Sequence, residues 1–239
     1  MKNIILSIIV IALVGFAGYK VFGSKKEVVP PVDLASTTPV AVVDPIEKDV
    51  YIIDTATSTI TWKGSFVTGK KSETGTIMLK AGKGKFENAT ITTGEFVIDM
   101  TTIKDVNGSE KLETHLKSDD FFNVEKFPEA KFELLSFAPA KTAGEFTAKG
   151  TLTIRDVTKD FTFPVVLSVE GQNMLRATGK ITFNRADYNV KYGSSSFFKG
   201  LGDKVISDKV ELTLNLLTKP IEVSAQPQPP SSSQQQPAN

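Results

Sequence analysis

Apolar and polar residues alternate one by one along much of the middle of this chain. The pattern is clearest in Phe146–Arg155, Ala177–Phe183 and Val210–Leu216, where every second residue is apolar or glycine and the residues between are polar. Successive side chains of a β-strand point to opposite faces, so this period predicts strands with one buried face and one wet face. Further strands are predicted at Ile60–Phe66, Gly75–Lys80, Ala89–Met100, Ala130–Phe137 and Phe161–Val169. We therefore expect an all-β domain of about eight antiparallel strands.

The predicted connections between these strands are short and carry turn residues. Glycine or asparagine occurs at Lys80–Gly84, Ala143–Gly144 and Gly171–Asn173. Short connections favour hairpins, and consecutive hairpins favour an up-and-down β-barrel over a sandwich with its longer crossovers. A closed barrel also leaves no exposed strand edge.

One segment, Lys104–Lys126, interrupts the alternation. Ser109 followed by Glu110 is typical of the start of a helix, and Leu112 and Leu116 would share one face of it. We expect one short helical excursion that covers a mouth of the barrel.

The alternating region lies between segments of different composition. Residues 1–23 contain the apolar run Ile4–Phe22, which predicts an N-terminal hydrophobic helix that is either a signal peptide or a transmembrane anchor. Residues 24–49 predict a proline-rich linker, and residues 220–239 predict a disordered Gln/Pro/Ser tail. Residues 50–219 then form the barrel domain. Either kind of N-terminal helix would place this domain outside the cytoplasm, in the cell envelope or periplasm, membrane-anchored or secreted.

The composition argues against several classes of function. The 28 Lys and Arg residues balance the 27 Asp and Glu residues, so the chain has no global field to attract nucleic acid. It has no cysteine, which excludes disulfides, thiolate metal sites, cysteine nucleophiles and a lipoprotein anchor. The motifs of serine hydrolases, P-loop proteins and zinc proteases are also absent. We expect no enzyme activity, no metal and no cofactor.

The single histidine, His115, leaves three roles open. It can cap the helix or bond at the rim, contact the polar head of a ligand, or act in catalysis, which would require a partner acid within hydrogen-bond reach.

The most distinctive segment is Glu113–Pro128, which reads ETHLKSDDFFNVEKFP. It resembles the signature of the YceI-like family, small lipocalin-like barrels of the bacterial envelope that hold isoprenoid or other lipid-like chains. Further marks of this family occur in order at Tyr51–Asp54, Gly94–Met100, Gly150–Lys159, Phe183–Tyr188 and Gly202–Val205. The chain departs from the family at Trp62-Lys63-Gly64, where many members carry a histidine, so no role of that histidine is carried over.

The resemblance implies an apolar chain ligand in the barrel, and the alternation indicates which side chains face inward. The residues expected to contact the ligand are Trp62, Phe66, Phe96, Ile98, His115, Leu116, Phe121, Phe122, Phe132, Leu152, Phe163, Leu167, Phe183 and Phe197. Four small residues, Ala148, Gly150, Ala177 and Gly179, are expected to face inward and enlarge the interior.

Besides catalysis by His115, which the absence of catalytic motifs makes the weakest alternative, two functions stay open. The first is an envelope-located binding or carrier protein for a long-chain lipid such as a polyisoprenoid. The alternative is an interaction module displayed from the membrane, in which the barrel is filled and the loops Ser65–Glu73 and Gly193–Gly200 bind a partner. Attachment to the membrane through Ile4–Phe22 and assembly as a homodimer are further expectations.

Overall fold

The chain forms nine antiparallel strands and one α-helix within the residues that the structure, a computed structural model, describes: 49–87, 90–171 and 173–221. The strands are β1 Val50–Ile52, β2 Thr59–Ser65, β3 Ser72–Glu87, β4 Thr90–Asp105, β5 Glu129–Pro139, β6 Glu145–Ile154, β7 Val157–Glu170, β8 Met174–Asn184 and β9 Lys209–Leu217. The helix, α1, spans Glu110–Lys117. The predicted N-terminal helix, nearly all of the linker and the tail beyond Ile221 lie outside the described residues.

The strands β2 to β9 close into a barrel. Each pairs with the next along the chain, and β2 closes the ring by pairing with β9, as in Ile60↔Leu214. The short β1 lies beside the far half of β3, where Val50 faces Lys85, so β1 and β2 follow one another along the same side of β3. The predicted eight-stranded up-and-down barrel is confirmed.

The predicted turn at Lys80–Gly84 is wrong, because β3 continues through it to Glu87. The glycines here leave space for the side chains of Tyr51 and Ile53, which lie beside this part of β3. A Cβ on Gly84 would lie 2.2 Å from the Tyr51 hydroxyl, and a Cβ on Gly82 would lie 2.6 Å from Ile53. Three irregularities in the β3–β4 register bend the long strands around the barrel.

The predicted helix begins where expected, with Ser109 as its N-cap. The Ser109 hydroxyl accepts a hydrogen bond from the Leu112 N–H at 3.4 Å. Glu113 ties the helix to β4: its carboxylate accepts from Lys104 Nζ at 2.8 Å and from the Asp105 N–H at 3.1 Å. These bonds, led by the one from Lys104, hold the pKa of Glu113 below its usual range.

The two ends of the barrel differ. The helical end carries α1, the 66–71 loop, the tight turn at 155–156 and the long 185–208 segment. The opposite end, named here the hairpin end, carries the connections at 140–144 and 171–173. The described chain enters at the hairpin end through β1 and leaves there at Ile221, whose N–H donates to the Asn173 carbonyl at 3.2 Å.

Candidate functional site: the barrel cavity

The barrel encloses a cavity of about 480 Å³ whose wall is almost wholly apolar. Side chains from every strand of the ring and from α1 contribute to it. The predicted ligand-contacting residues that line this cavity are Trp62, Phe66, Phe96, Ile98, His115, Leu116, Phe121, Phe122, Phe132, Leu152, Phe163, Leu167 and Phe183. Residues of the alternating strands and residues of the segment that interrupts them thus line one surface, although they lie far apart in the sequence.

Phe197 is the exception, because the structure places it outside the cavity with 43% of its surface exposed. The loop that carries it is drawn toward Asp208, whose carboxylate accepts hydrogen bonds from the Ser194 hydroxyl at 2.9 Å and the Ser196 hydroxyl at 2.6 Å. Ser194 is fully buried by this arrangement. The Phe197 ring turns outward and lies 5.1 Å from Lys191 Nζ.

Two of the four small residues also differ from expectation. Ala148 and Ala177 line the cavity, whereas Gly150 and Gly179 do not. A Cβ on Gly150 would lie 1.9 Å from the Glu133 carbonyl oxygen, and one on Gly179 would lie 2.9 Å from that of Pro164. These glycines serve the close approach of neighbouring strands and add no space to the interior.

Several cavity residues were not predicted. Tyr51, Ile77, Leu79 and Ile103 lie on β1, β3 and β4. The alternation within the predicted strand Gly75–Lys80 could already have identified Ile77 and Leu79, and it could have identified Ile103 had β4 been given its full length. Tyr192 lies in the long segment between β8 and β9, which has no periodic pattern, so only the tertiary structure brings it to the cavity.

An aromatic cluster lies at the helical end of the cavity. The ring of His115 meets those of Phe121 and Tyr192 edge-on, with centroids 5.0 and 4.5 Å away. Phe121 and Tyr192 are 5.2 Å apart. His115 Nε2 lies 3.0 Å from Asp120 Oδ2, a hydrogen bond at the rim of the barrel. The segment Glu113–Pro128 therefore supplies the cover of this mouth.

Arg185 also reaches the cavity wall, but four of its five N–H donors are bonded to backbone carbonyls and its charge is paired with Asp208. An arginine carries five N–H donors. Nε donates to the Ser207 carbonyl at 3.0 Å, and Nη1 donates to the carbonyls of Val190 at 3.0 Å and Tyr192 at 2.9 Å. Nη2 donates to the Ile206 carbonyl at 3.1 Å and lies 3.2 Å from Asp208 Oδ1.

Burial lowers the pKa of Arg185, and Asp208 opposes that effect. The side chain holds the 185–208 segment against the barrel.

Other polar groups on the wall are engaged in the same way. Lys71 Nζ lies 2.7 Å from Glu73 Oε1 at the helical end, and the Thr218 hydroxyl accepts from the Leu175 N–H at 2.9 Å at the hairpin end. The interior therefore offers a ligand apolar contact and few spare hydrogen-bonding groups.

The described part of the chain contains no group of three or more His, Cys, Asp or Glu side chains that could hold a metal ion. Its helices include none with the length and apolar character needed to cross a bilayer.

The sequence profile of the YceI-like domain matches residues 51–217. This chain belongs to the YceI-like family. A UPF0312 protein of Shewanella denitrificans is 35% identical over 133 residues, which cover 53% of this chain and 65% of the relative. One from Shewanella oneidensis is 32% identical over 154 residues, covering 59% of this chain and 76% of the relative. The chain thus spans about two thirds to three quarters of the length of these two relatives.

Solved structures support the fold. BcnA of Burkholderia cenocepacia superposes with a TM-score of 0.58 at 20% identity, covering 69% of this chain and 98% of BcnA. A domain of Saccharophagus degradans described as polyisoprenoid-binding superposes with a TM-score of 0.57 at 16% identity, covering 71% and 98%. At these identities the likeness concerns the fold alone.

Proposed function

We propose that this YceI-like domain binds the long apolar chain of a lipid, such as a polyisoprenoid, inside its barrel, and that it does so as a carrier in the cell envelope. The observation that carries the proposal is the cavity of about 480 Å³ enclosed by apolar side chains. Its volume falls within the range of about 300–1,000 Å³ typical of ligand pockets. The domain from Saccharophagus degradans described as polyisoprenoid-binding supports the ligand class.

The cavity wall favours a chain over a polar ligand. Burial of apolar surface is worth about 25 cal/mol per Å², whereas an unpaired polar group loses free energy when it leaves water. Arg185, the buried cation at the wall, has four of its five donors bonded to backbone carbonyls and its charge paired with Asp208. A ligand's polar head would therefore lie at a mouth of the barrel, with its chain inside.

The alternative, an interaction module with a filled barrel, is less well supported because the interior leaves room for a ligand. Catalysis is also less well supported. His115 and Asp120 have the spacing of a base and its orienting acid, but the Asp120 side chain is 54% exposed and the imidazole packs against two aromatic rings. We propose that this pair stabilises the cover of the mouth and that the protein is not an enzyme.

An extracytoplasmic location rests on the apolar run Ile4–Phe22 alone. Cell fractionation followed by N-terminal sequencing of the mature protein would distinguish a cleaved signal from a retained anchor. Recovery of the whole chain in the cytoplasm would contradict the location.

The binding proposal is tested with the full chain purified from membranes of its host. Native mass spectrometry should show a copurified apolar ligand, and the same spectrum reports whether a homodimer forms. A fluorescent prenyl probe should enter the emptied protein and be displaced by unlabelled lipid.

A variant with a bulky group inside the cavity should lose the probe. Ala177→Phe places a ring on the cavity wall, and Ala148→Leu adds a smaller group to it. Probe affinity should fall at least about tenfold for Ala177→Phe, since the ring occupies space that the chain needs, while the melting temperature changes little. Thr182→Phe adds the same ring at an exposed position of β8 and should bind like the parent.

Two results would contradict the proposal. One is a parent protein that takes up no apolar probe. The other is a pair of cavity variants that melt far below the parent, because an already filled core loses about 1–3 kcal/mol when it is overpacked.

A further inference from the structure

The helical end of the barrel presents an exposed apolar surface around the mouth of the cavity. Val67, Tyr192, Phe197 and Phe198 expose 63%, 43%, 43% and 49% of their surfaces. They lie on two segments, residues 66–71 between β2 and β3 and residues 189–206 between β8 and β9. We name these two segments together the docking rim.

The two segments of the docking rim form one surface. The Val67 N–H donates to the Val205 carbonyl at 3.0 Å, and the Ser207 N–H donates to the Ser65 carbonyl at 2.8 Å. Within the longer segment, the Ile206 N–H donates to Gly193 at 2.8 Å. The buried Arg185 fixes this segment further. The exposed aromatic rings are thus held by a bonded framework.

The docking rim is also basic. Its exposed lysines are Lys70, Lys71, Lys191, Lys199 and Lys204. The acidic residues here are Asp203 within the rim and Glu73 beside it. Glu73 Oε1 lies 2.7 Å from Lys71 Nζ. The neighbouring cover carries Asp119 and Asp120, so the excess of positive charge is confined to the rim.

We propose that the docking rim binds the surface of an anionic lipid bilayer. Phe197 and Phe198 would enter the interface, and the lysines would lie among the lipid phosphates. Aromatic side chains beside lysines suit this region, because the rings favour the boundary of the hydrocarbon and the ammonium groups reach the phosphates. Each lysine near such a surface strengthens binding about fivefold.

The rim is continuous with the cavity. Phe66, Lys71, Tyr192 and Ile206 belong to the docking rim and also line the cavity. Docking would therefore bring the mouth at the helical end against the lipid. The inference goes beyond the proposed function, because the rim can bind a bilayer whether or not the barrel holds a ligand, and the two are tested separately.

The absence of cysteine allows a clean positional test in the full chain. Ser195→Cys places an environment-sensitive dye on the rim, and Ser168→Cys places it at an exposed serine of β7 near the hairpin end. The residues Ile4–Phe22 are present in both proteins, so any attachment through them acts on both. With vesicles containing phosphatidylglycerol, the dye at 195 should shift to the blue and the dye at 168 should not. Phosphatidylcholine vesicles should give a much weaker shift at 195.

Matched variants separate the apolar and the charged parts of the surface. In the Ser195→Cys protein, Phe197→Ser with Phe198→Ser should abolish the shift. Lys191→Gln and Lys199→Gln should each raise the lipid concentration needed for half the shift about fivefold. Because neither Phe197 nor Phe198 lines the cavity, uptake of the prenyl probe should be unchanged in the phenylalanine variant.

The proposal is overturned if the dye at 195 stays in water with anionic vesicles, or if both dyes shift equally. Equal shifts with anionic and phosphatidylcholine vesicles would also overturn it. A normal shift at 195 in a protein that takes up no apolar probe would support docking and reject the carrier function.

Discussion

A charged side chain at the wall of an apolar cavity could bind the head group of a ligand, but only if it has hydrogen-bond donors that the protein does not already use. Arg185 has few such donors. Four of its N–H groups meet carbonyl oxygens, and the guanidinium pairs with Asp208. A buried cation whose donors are bonded mostly to backbone carbonyls holds segments of chain together, and in this barrel the segment it holds is 185–208.

We predict that Arg185→Lys destabilises the domain, because an ammonium offers three donors and cannot reach all of these acceptors. The loss should be about 3 kcal/mol, a fall of roughly 6–12 °C in melting temperature. Arg176→Lys, which alters a partly exposed pair with Glu170, should change stability by less than about 1 kcal/mol. Thermal melting measures both. An Arg185→Lys protein that melts like the parent but loses probe affinity would show that Arg185 does touch the ligand.

At the scale of strands, some glycines allow neighbouring strands of the barrel to approach each other closely. Gly150 on β6 faces Leu134 of β5 at a point where the register shifts, and there the Glu133 carbonyl occupies the space of a Cβ. Gly64 on β2 has no atom within 4 Å of the place where its Cβ would be. Glycine is therefore required by close packing at position 150 but not at position 64.

Gly150→Ala should accordingly destabilise the protein by about 1–3 kcal/mol, because β5 or β6 must shift to admit the methyl group. Gly64→Ala should be neutral or stabilising by up to about 1 kcal/mol, because alanine restricts the unfolded chain and meets no obstacle. Denaturant unfolding of the two variants beside the parent measures the difference. Equal effects would show that the strand contact at Gly150 is looser than described.

At the scale of the whole molecule, the described domain closes on itself. Its first strand lies against β3 and its last residues return to the same end of the barrel, where the Lys219 N–H donates to the Ile52 carbonyl at 2.8 Å. Ile221 packs against the core. Both ends of the described chain are therefore tied to the barrel.

A fragment of residues 49–221 should fold alone. We expect a β-type circular dichroism spectrum and a single cooperative transition at the temperature found for the full chain. A fragment that ends at Leu217 should melt lower, since it lacks the bonds of Thr218, Lys219 and Ile221 to the barrel. A fragment of 49–221 that fails to unfold cooperatively would show that the flanking residues contribute to the fold.

The sequence alone determined the class of fold and part of the cavity wall. Alternation along β6, β8 and β9 depends only on which neighbours along the chain are apolar, and that is enough to place Leu152, Phe183 and their equivalents inside. The start of α1 at Ser109 was predictable for the same reason, because a helix cap acts within a few residues.

Only the tertiary structure decided what depends on partners distant in sequence. The glycines of residues 80–84 have the sequence pattern of a turn, but in the fold they make room for Tyr51 and Ile53 within a continuous strand. Phe197 belongs to an aromatic pair that could face either way, and hydrogen bonds from Ser194 and Ser196 to Asp208 turn it outward. Whether the barrel is filled or hollow depends on the summed volume of side chains from eight strands, which no local pattern contains.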